Sequence, residues 1–193
     1  MSDKEIIEFF DAWAPLWDER MVINKEVIQI ILNCARVKAG KDVLDVACGT
    51  GVMIPFYQSR NVKSITGIDI SPEMVKIAKG KFEKDDVKFI CVNAANYDYE
   101  KKYDCIIIYN AFPHFDEPDQ LMKRLSSCLR PGGTLSVCHG MSREKIIEHH
   151  ENVSHVSHLL PEAEQMKELM GRYLKVSDVI SDEKMYLVCG IRK

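Results

Sequence analysis

Asp45-Val-Ala-Cys-Gly-Thr-Gly51 decides how this chain is read. With the apolar pair before it, Val43–Ala47 reads as a buried parallel strand. Gly49 and Gly51 then make a tight turn, and the apolar residues beyond open a helix. Glycine there removes the side chains that would keep a ligand off the backbone. The helix presents unpaired N–H groups at its start. Asp69 lies at the end of the next apolar strand, Ser64-Ile-Thr-Gly-Ile-Asp-Ile70. Backbone at one end and a carboxylate for ribose hydroxyls at the other is the arrangement a nucleoside needs.

Outward from this stretch, strand and helix signals alternate. Strands are expected at Asp42–Ala47, Ser64–Ile70, Val87–Val92, Asp104–Tyr109 and Thr134–His139, with helices at Val52–Gln58, Pro72–Phe82 and Pro118–Leu129. Ser71-Pro72 is a helix start, a serine cap followed by proline in the first turn. Ahead of the strands, short helices are expected around Pro15. A longer one covers Asn24–Ala35, with Val27, Ile28, Ile31 and Leu32 on one face. After Gly140 come a charged helix, Ser142–Asn152, another at Pro161–Met170, and two strands, Tyr173–Ile180 and Lys184–Ile191. The fold class is α/β: a Rossmann-like doubly wound sheet of seven strands, mostly parallel, with a C-terminal antiparallel strand and helices on both faces. One domain spans 1–193, with a helical lid at 1–36 and a helical insert at 141–172 over the active-site edge.

The quoted residues resemble the class I S-adenosylmethionine (SAM) dependent methyltransferases of small-molecule type. The family's first motif, an acidic residue and a Gly-x-Gly turn, falls on Asp45, Gly49 and Gly51. The acidic end of its second strand falls on Asp69. The resemblance runs from about Phe9 to Arg192. Dinucleotide binders instead carry a third glycine and seat pyrophosphate on the helix start. Here that position is Ile54, and Asp45 would repel a pyrophosphate, whereas the cationic methionine end of SAM tolerates a carboxylate. The resemblance implies SAM as cofactor and S-adenosylhomocysteine as product. It puts Asp45 on the methionine amine through water, Ala47, Gly49 and Gly51 at the turn, Asp69 on both ribose hydroxyls, and Ile70 and Met74 on the adenine face. Asn93 and Ala94 would meet the adenine edge, where many members have an acid in place of Asn93. Asn110, ending the fourth strand, would orient the methionine end or the acceptor. Its surroundings do not match the Asn-Pro-Pro-aromatic box of enzymes that methylate amino groups on DNA and glutamine.

Methyl transfer mainly needs a positioned nucleophile and, for some acceptors, a base. His114 and His139 stand at strand ends expected near the methyl group, and are the candidate catalytic histidines with Asn110. Five of the six histidines lie between His139 and His158. His149 and His150 close the charged helix and are candidate substrate contacts. Adjacent residues point about 100° apart, so the two do not easily serve one site. His155 and His158 have helical i,i+3 spacing that a metal could use, but no ligand completes the set, so no metal is assigned. Trp13 and Trp17, with Phe10 and Met21, lie in an N-terminal segment resembling the pocket-closing lead-in of quinone-biosynthesis methyltransferases. Core packing is the other reading of that segment.

The 193 residues carry a net charge of −3. That argues against a large nucleic-acid footprint. Seven scattered cysteines without a Cys-x-x-Cys pair read as free thiols of a reducing cytoplasm. No apolar run approaches the ~20 residues that span a bilayer, and no secretory signal is evident. The expectation is a cytoplasmic methyltransferase, monomer or homodimer, acting on a small-molecule acceptor without nucleic-acid or membrane partners. The alternatives are a protein or RNA acceptor, or a SAM-binding sensor without catalysis.

Overall fold

The computed structural model describes residues 2–150 and 156–193. Helices α1 (Asp3–Trp13), α2 (Trp17–Arg20) and α3 (Lys25–Cys34) precede the first strand, with a 3-10 turn at Ala14–Leu16 between the first two. Then come β1 (Asp42–Val46), α4 (Ile54–Ser59), β2 (Ser64–Asp69), α5 (Pro72–Phe82), β3 (Val87–Cys91), β4 (Tyr103–Tyr109), α6 (Pro118–Cys128) and β5 (Leu129–His139). Helices α7 (Arg143–His150) and α8 (Ala163–Gly171) and strands β6 (Lys175–Ser181) and β7 (Tyr186–Ile191) complete the order. The sheet runs β3-β2-β1-β4-β5-β7-β6. Strands β1 to β5 pair in parallel, and β7 is antiparallel to both of its neighbours, so only β7 runs against the rest. The expected fold class is met, and each expected strand is present with ends shifted by a few residues.

Alternation along the strands sorts the core into two layers. Val43, Ile65, Cys105, Ile107 and Cys138 face α3, α4 and α5, while Leu44, Ile68, Ile106, Ile108 and Val137 face α6 and α8. All of these positions are buried, as a sheet covered on both faces requires. The helix starts follow their caps. Ser71 Oγ accepts the Met74 N–H at 3.1 Å, and Asn24 Oδ1 accepts the Val27 N–H at 3.2 Å. Helix α3 places Val27, Ile28, Ile31 and Leu32 in the core, so the covering segment is shorter than the expected 1–36.

Strand β5 begins five residues earlier than expected. Arg130-Pro-Gly-Gly133 is an irregular strand start. Gly132 donates to the Arg192 carbonyl and Arg192 donates back to Gly133, both at 2.9 Å. Arg130 then bridges Asp42 and Asp104 at 2.9 Å each, at the amino edge of the sheet. With Lys101 and Ser64 also on Asp42, its carboxyl is held down at about 2 despite partial burial.

Gly51 has φ +88°, and a Cβ there would stand 2.9 Å from the Phe82 ring on α5. Left-handed backbone and overpacking both penalise a side chain. Gly51→Ala should destabilise the protein by about 2 kcal/mol or more, read as a melting point lowered by roughly 4–8 °C. An unchanged melting point would show that α5 yields freely at this contact.

Candidate active site

The strand order reverses between β1 and β4, where open α/β sheets bind ligands at their carboxyl edge. A cavity of about 350 Å³ opens there. Ala47 after β1 and Asn110 after β4 both sit at φ +54° and both line it. Left-handed non-glycine residues are uncommon, and among the described residues two of the four stand at this edge. Asn110 is tethered: its backbone N–H donates to the Cys138 carbonyl and its Oδ1 accepts the Gly140 N–H, both at 2.9 Å. The amide oxygen thus ties the ends of β4 and β5 together at the cavity wall. Asn110 shapes the wall.

Asp69 lines the cavity and is already organised. Its oxygens accept the Gly49 N–H at 2.8 Å and the Ser71 N–H at 2.9 Å. Burial pushes this carboxyl up, and the backbone hydrogen bonds oppose that. Each oxygen retains lone-pair capacity for a further donor. Ile68, Ile70, Met74, Val92 and Ala94 supply an apolar slot beside it. A carboxylate next to an apolar slot fits a ribose carrying a planar base. Residues Ala47, Gly49, Asp69, Ile70, Met74, Asn93, Ala94 and Asn110 therefore meet in one cavity, as the motif reading expects.

Asp45 and Gly51 do not line it. Asp45 shares the parity of Val43 and faces α4, where the Tyr57 hydroxyl donates to its Oδ1 at 3.2 Å. Its Oδ2 is sealed without a hydrogen-bond partner. Burial, joined by the charge of Asp69, pushes the Asp45 carboxyl up to about 7, and the Tyr57 hydrogen bond opposes the rise.

The N-terminal segment covers the cavity with Ile6, Phe10, Trp17 and Met21. Three of its carboxylates reach the loops after three successive strands. Asp18 Oδ1 accepts the Thr50 hydroxyl after β1 at 2.5 Å. Asp11 accepts the Ser71 hydroxyl after β2 at 2.5 Å and the Glu73 N–H at 3.2 Å. Asp3 accepts both contacts from Asn93 Nδ2 after β3 at 3.0 Å. Trp13 is not in the lining. The 3-10 turn between the two tryptophans changes the helical phase, and Trp13 packs on the outer side under the Arg20 guanidinium at 4.6 Å.

The histidines separate sharply. His114 lines the cavity, edge-on to Phe10 with ring centroids 5.0 Å apart. Its Nδ1 lies 2.6 Å from the Val156 carbonyl oxygen. A carbonyl only accepts, so Nδ1 carries a proton, and in the neutral ring Nε2 carries the lone pair. Burial holds its pKa below the usual histidine value, with the Val156 hydrogen bond opposing. His139 is a correction to the expected catalytic pair. It is buried within the sheet, opposite Tyr186 of β7, and does not line the cavity. The antiparallel β7 extends over the end of β5 and covers it. His149, expected to contact substrate, is exposed and lies outside the lining. The His150 side chain and His155 lie outside the described residues. His158 Nε2 is 2.7 Å from Asp116 Oδ1, and its N–H donates to Pro113, which ties the segment after α7 to the segment after β4. The lining residues not anticipated include Asp3, Ile6, Phe115, Glu117 and Gln120. Only the packing of the N-terminal segment against the β4–α6 connection brings these together.

In the unfolded chain Asp45 loses its proton near pH ~4. In the folded protein it holds it to about 7. Between these values the folded state binds more protons, so rising pH costs stability across that window. Asp45→Asn should remove this part of the slope, gaining on the parent protein from pH 5 to pH 8 in chemical denaturation. A difference between the two that does not change with pH would contradict the assignment.

A family described as a methyltransferase domain matches residues 43–133. The ubiquinone/menaquinone biosynthesis C-methyltransferase of Campylobacter jejuni is 31% identical over 159 residues, covering 75% of this chain and 67% of that one. A malonyl-[acyl-carrier protein] O-methyltransferase of Acetivibrio thermocellus is 29% identical over 140 residues, and the match spans 70% of this chain but half the length of the relative. Among solved structures, the N-methyltransferase NodS of Bradyrhizobium japonicum with S-adenosylhomocysteine superposes with a TM-score of 0.76 at 12% identity, covering 97% of this chain and 98% of that one. A methyltransferase in complex with the Trm112 activator of Haloferax volcanii gives 0.78 at 21% identity, covering 95% and 97%. These similarities agree with the left-handed Ala47 edge and the placed Asp69 carboxylate: the chain belongs to the class I SAM-dependent methyltransferases.

Proposed function

We propose that this chain uses SAM to methylate a small molecule enclosed in the cavity, with His114 as the group that takes the acceptor's proton. The observation that carries the reading is the placement of a histidine, its Nδ1 against the Val156 carbonyl, in the same covered cavity as Asp69. When bound, SAM supplies a methyl group on a sulfonium; the acceptor bond to carbon forms as the carbon–sulfur pair leaves with sulfur. The residues of the chain do the rest. Asp69 orients the ribose through both oxygens. The Asn110 tether keeps the wall between β4 and β5 fixed. Phe10, Trp17 and Met21 exclude water, which sharpens every charge inside. His114 Nε2 is the atom that accepts the proton of a hydroxyl, thiol or ammonium acceptor and returns it to solvent afterwards.

The lining also speaks to acceptor charge. Among the described residues it includes Asp3, Asp69, Asp116 and Glu117 but neither Lys nor Arg. An anionic acceptor would meet no counter-charge, so neutral or cationic acceptors fit best. Among the described residues no helix is long and apolar enough to cross a membrane. The thiol usage supports a cytoplasmic setting.

The test is calorimetric titration with SAM and S-adenosylhomocysteine, followed by turnover with a panel of amines, phenols and thiols. Asp69→Ala should weaken both cofactor forms by about tenfold or more. His114→Ala should lower kcat by about 10²-fold while leaving cofactor affinity intact. Unchanged binding in the Asp69 variant would overturn the site, and tight binding without turnover on any acceptor would favour the sensor reading.

A further inference from the structure

The amide of Asn93 at the cavity mouth points in one sense only. Its Oδ1 accepts the Ala95 N–H at 2.9 Å, and its Nδ2 donates to both Asp3 oxygens at 3.0 Å. A backbone N–H cannot accept and a carboxylate cannot donate, so these partners assign the amide's oxygen and nitrogen. Asn93 therefore directs its amino group at Asp3. The strong acceptor at this wall is the Asp3 carboxylate, which itself lines the cavity beside Ile6, Ala94 and Ala95. Ionised acceptors make hydrogen bonds roughly twice as strong as neutral ones.

Asp3 is held in place by its own helix start. Ser2 Oγ accepts the Glu5 N–H at 3.3 Å, and Glu5 Oε2 accepts the Ser2 N–H at 2.8 Å, a reciprocal cap around the first turn of α1. Strand β3 lies beside β2 with Cys91 opposite Asp69. A nucleoside whose ribose is held at Asp69 therefore carries its base towards the segment after β3, where Asp3 waits.

We propose that Asp3 is a specificity-determining residue for the cofactor: its carboxylate accepts the exocyclic amino group of adenine, so the helix that covers the cavity also reads the base. The inference rests on SAM being the cofactor. The reading group then belongs to the N-terminal helix that covers the cavity and not to the sheet.

The test compares the affinity of the full chain for S-adenosylhomocysteine with that for its 6-deamino analogue, which carries hydrogen in place of the amino group. The parent protein should prefer the amino form by about tenfold. Asp3→Ala should bring the two affinities within about threefold of each other. Asp3→Asn, which keeps the bulk without the charge, should also reduce the preference. Asp3 is exposed, so both variants are expected to fold. A preference unchanged in Asp3→Ala would overturn the proposal, as would an equal loss for both ligands, which would make Asp3 a lid fastener only. Failure of the parent protein to bind S-adenosylhomocysteine would remove the cofactor reading itself, and is seen before any variant is made.

Discussion

The hydrogen bond from the Gly49 N–H to the Asp69 carboxylate, at 2.8 Å, is the contact on which the site depends. It joins the turn after β1 to the end of β2 and so sets the distance between two strands at their functional edge. The chain leaves β1 through left-handed Ala47, Gly49 and Gly51. That path brings the Gly49 N–H to the edge of the sheet, where Asp69 accepts it. The same carboxylate takes the Ser71 N–H at the start of α5. One buried acid thus organises a turn, a strand end and a helix start. It carries the penalty of burial because the backbone donors surround it.

The two edges of the sheet divide the work. At the amino edge, Arg130, Lys101 and Lys41 hold Asp42 and Asp104 in a network of ion pairs that ties β1 to β4 and β5. Opposite charges are matched there, and the chain is closed. At the carboxyl edge, Asp3, Asp69, Asp116 and Glu117 line the cavity with His114, and among the described residues the lining holds no Lys or Arg. Asp18, Asp11 and Asp3 are donor-hungry groups, and each finds its donors on the loop after a different strand.

Much of this was legible in the chain. Strands buried on both faces read as apolar runs, and Asp69 stood out because an acid closing such a run needs a reason. Ser71 and Asn24 announced helix starts that the structure uses. The misread residues share a cause. His139 ends a strand, and strand ends near a site invite a catalytic role, but the neighbour that covers it, Tyr186, lies 47 residues on and in an antiparallel strand. Trp13 and Trp17 look like one face at i,i+4, yet a 3-10 turn between them breaks the phase.

By itself the sequence determined the layer order, the parallel core, the turn after β1 and the acid at the end of β2, because those depend on local periodicity and on residue types with strong backbone preferences. Tertiary structure decided which groups share the cavity. Asp3 and Asn93 are ninety residues apart, His114 and Val156 forty-two. No local pattern encodes such pairings. They arise when packed layers fix the strand ends within a few ångströms and long-range donors and acceptors satisfy one another across the gap.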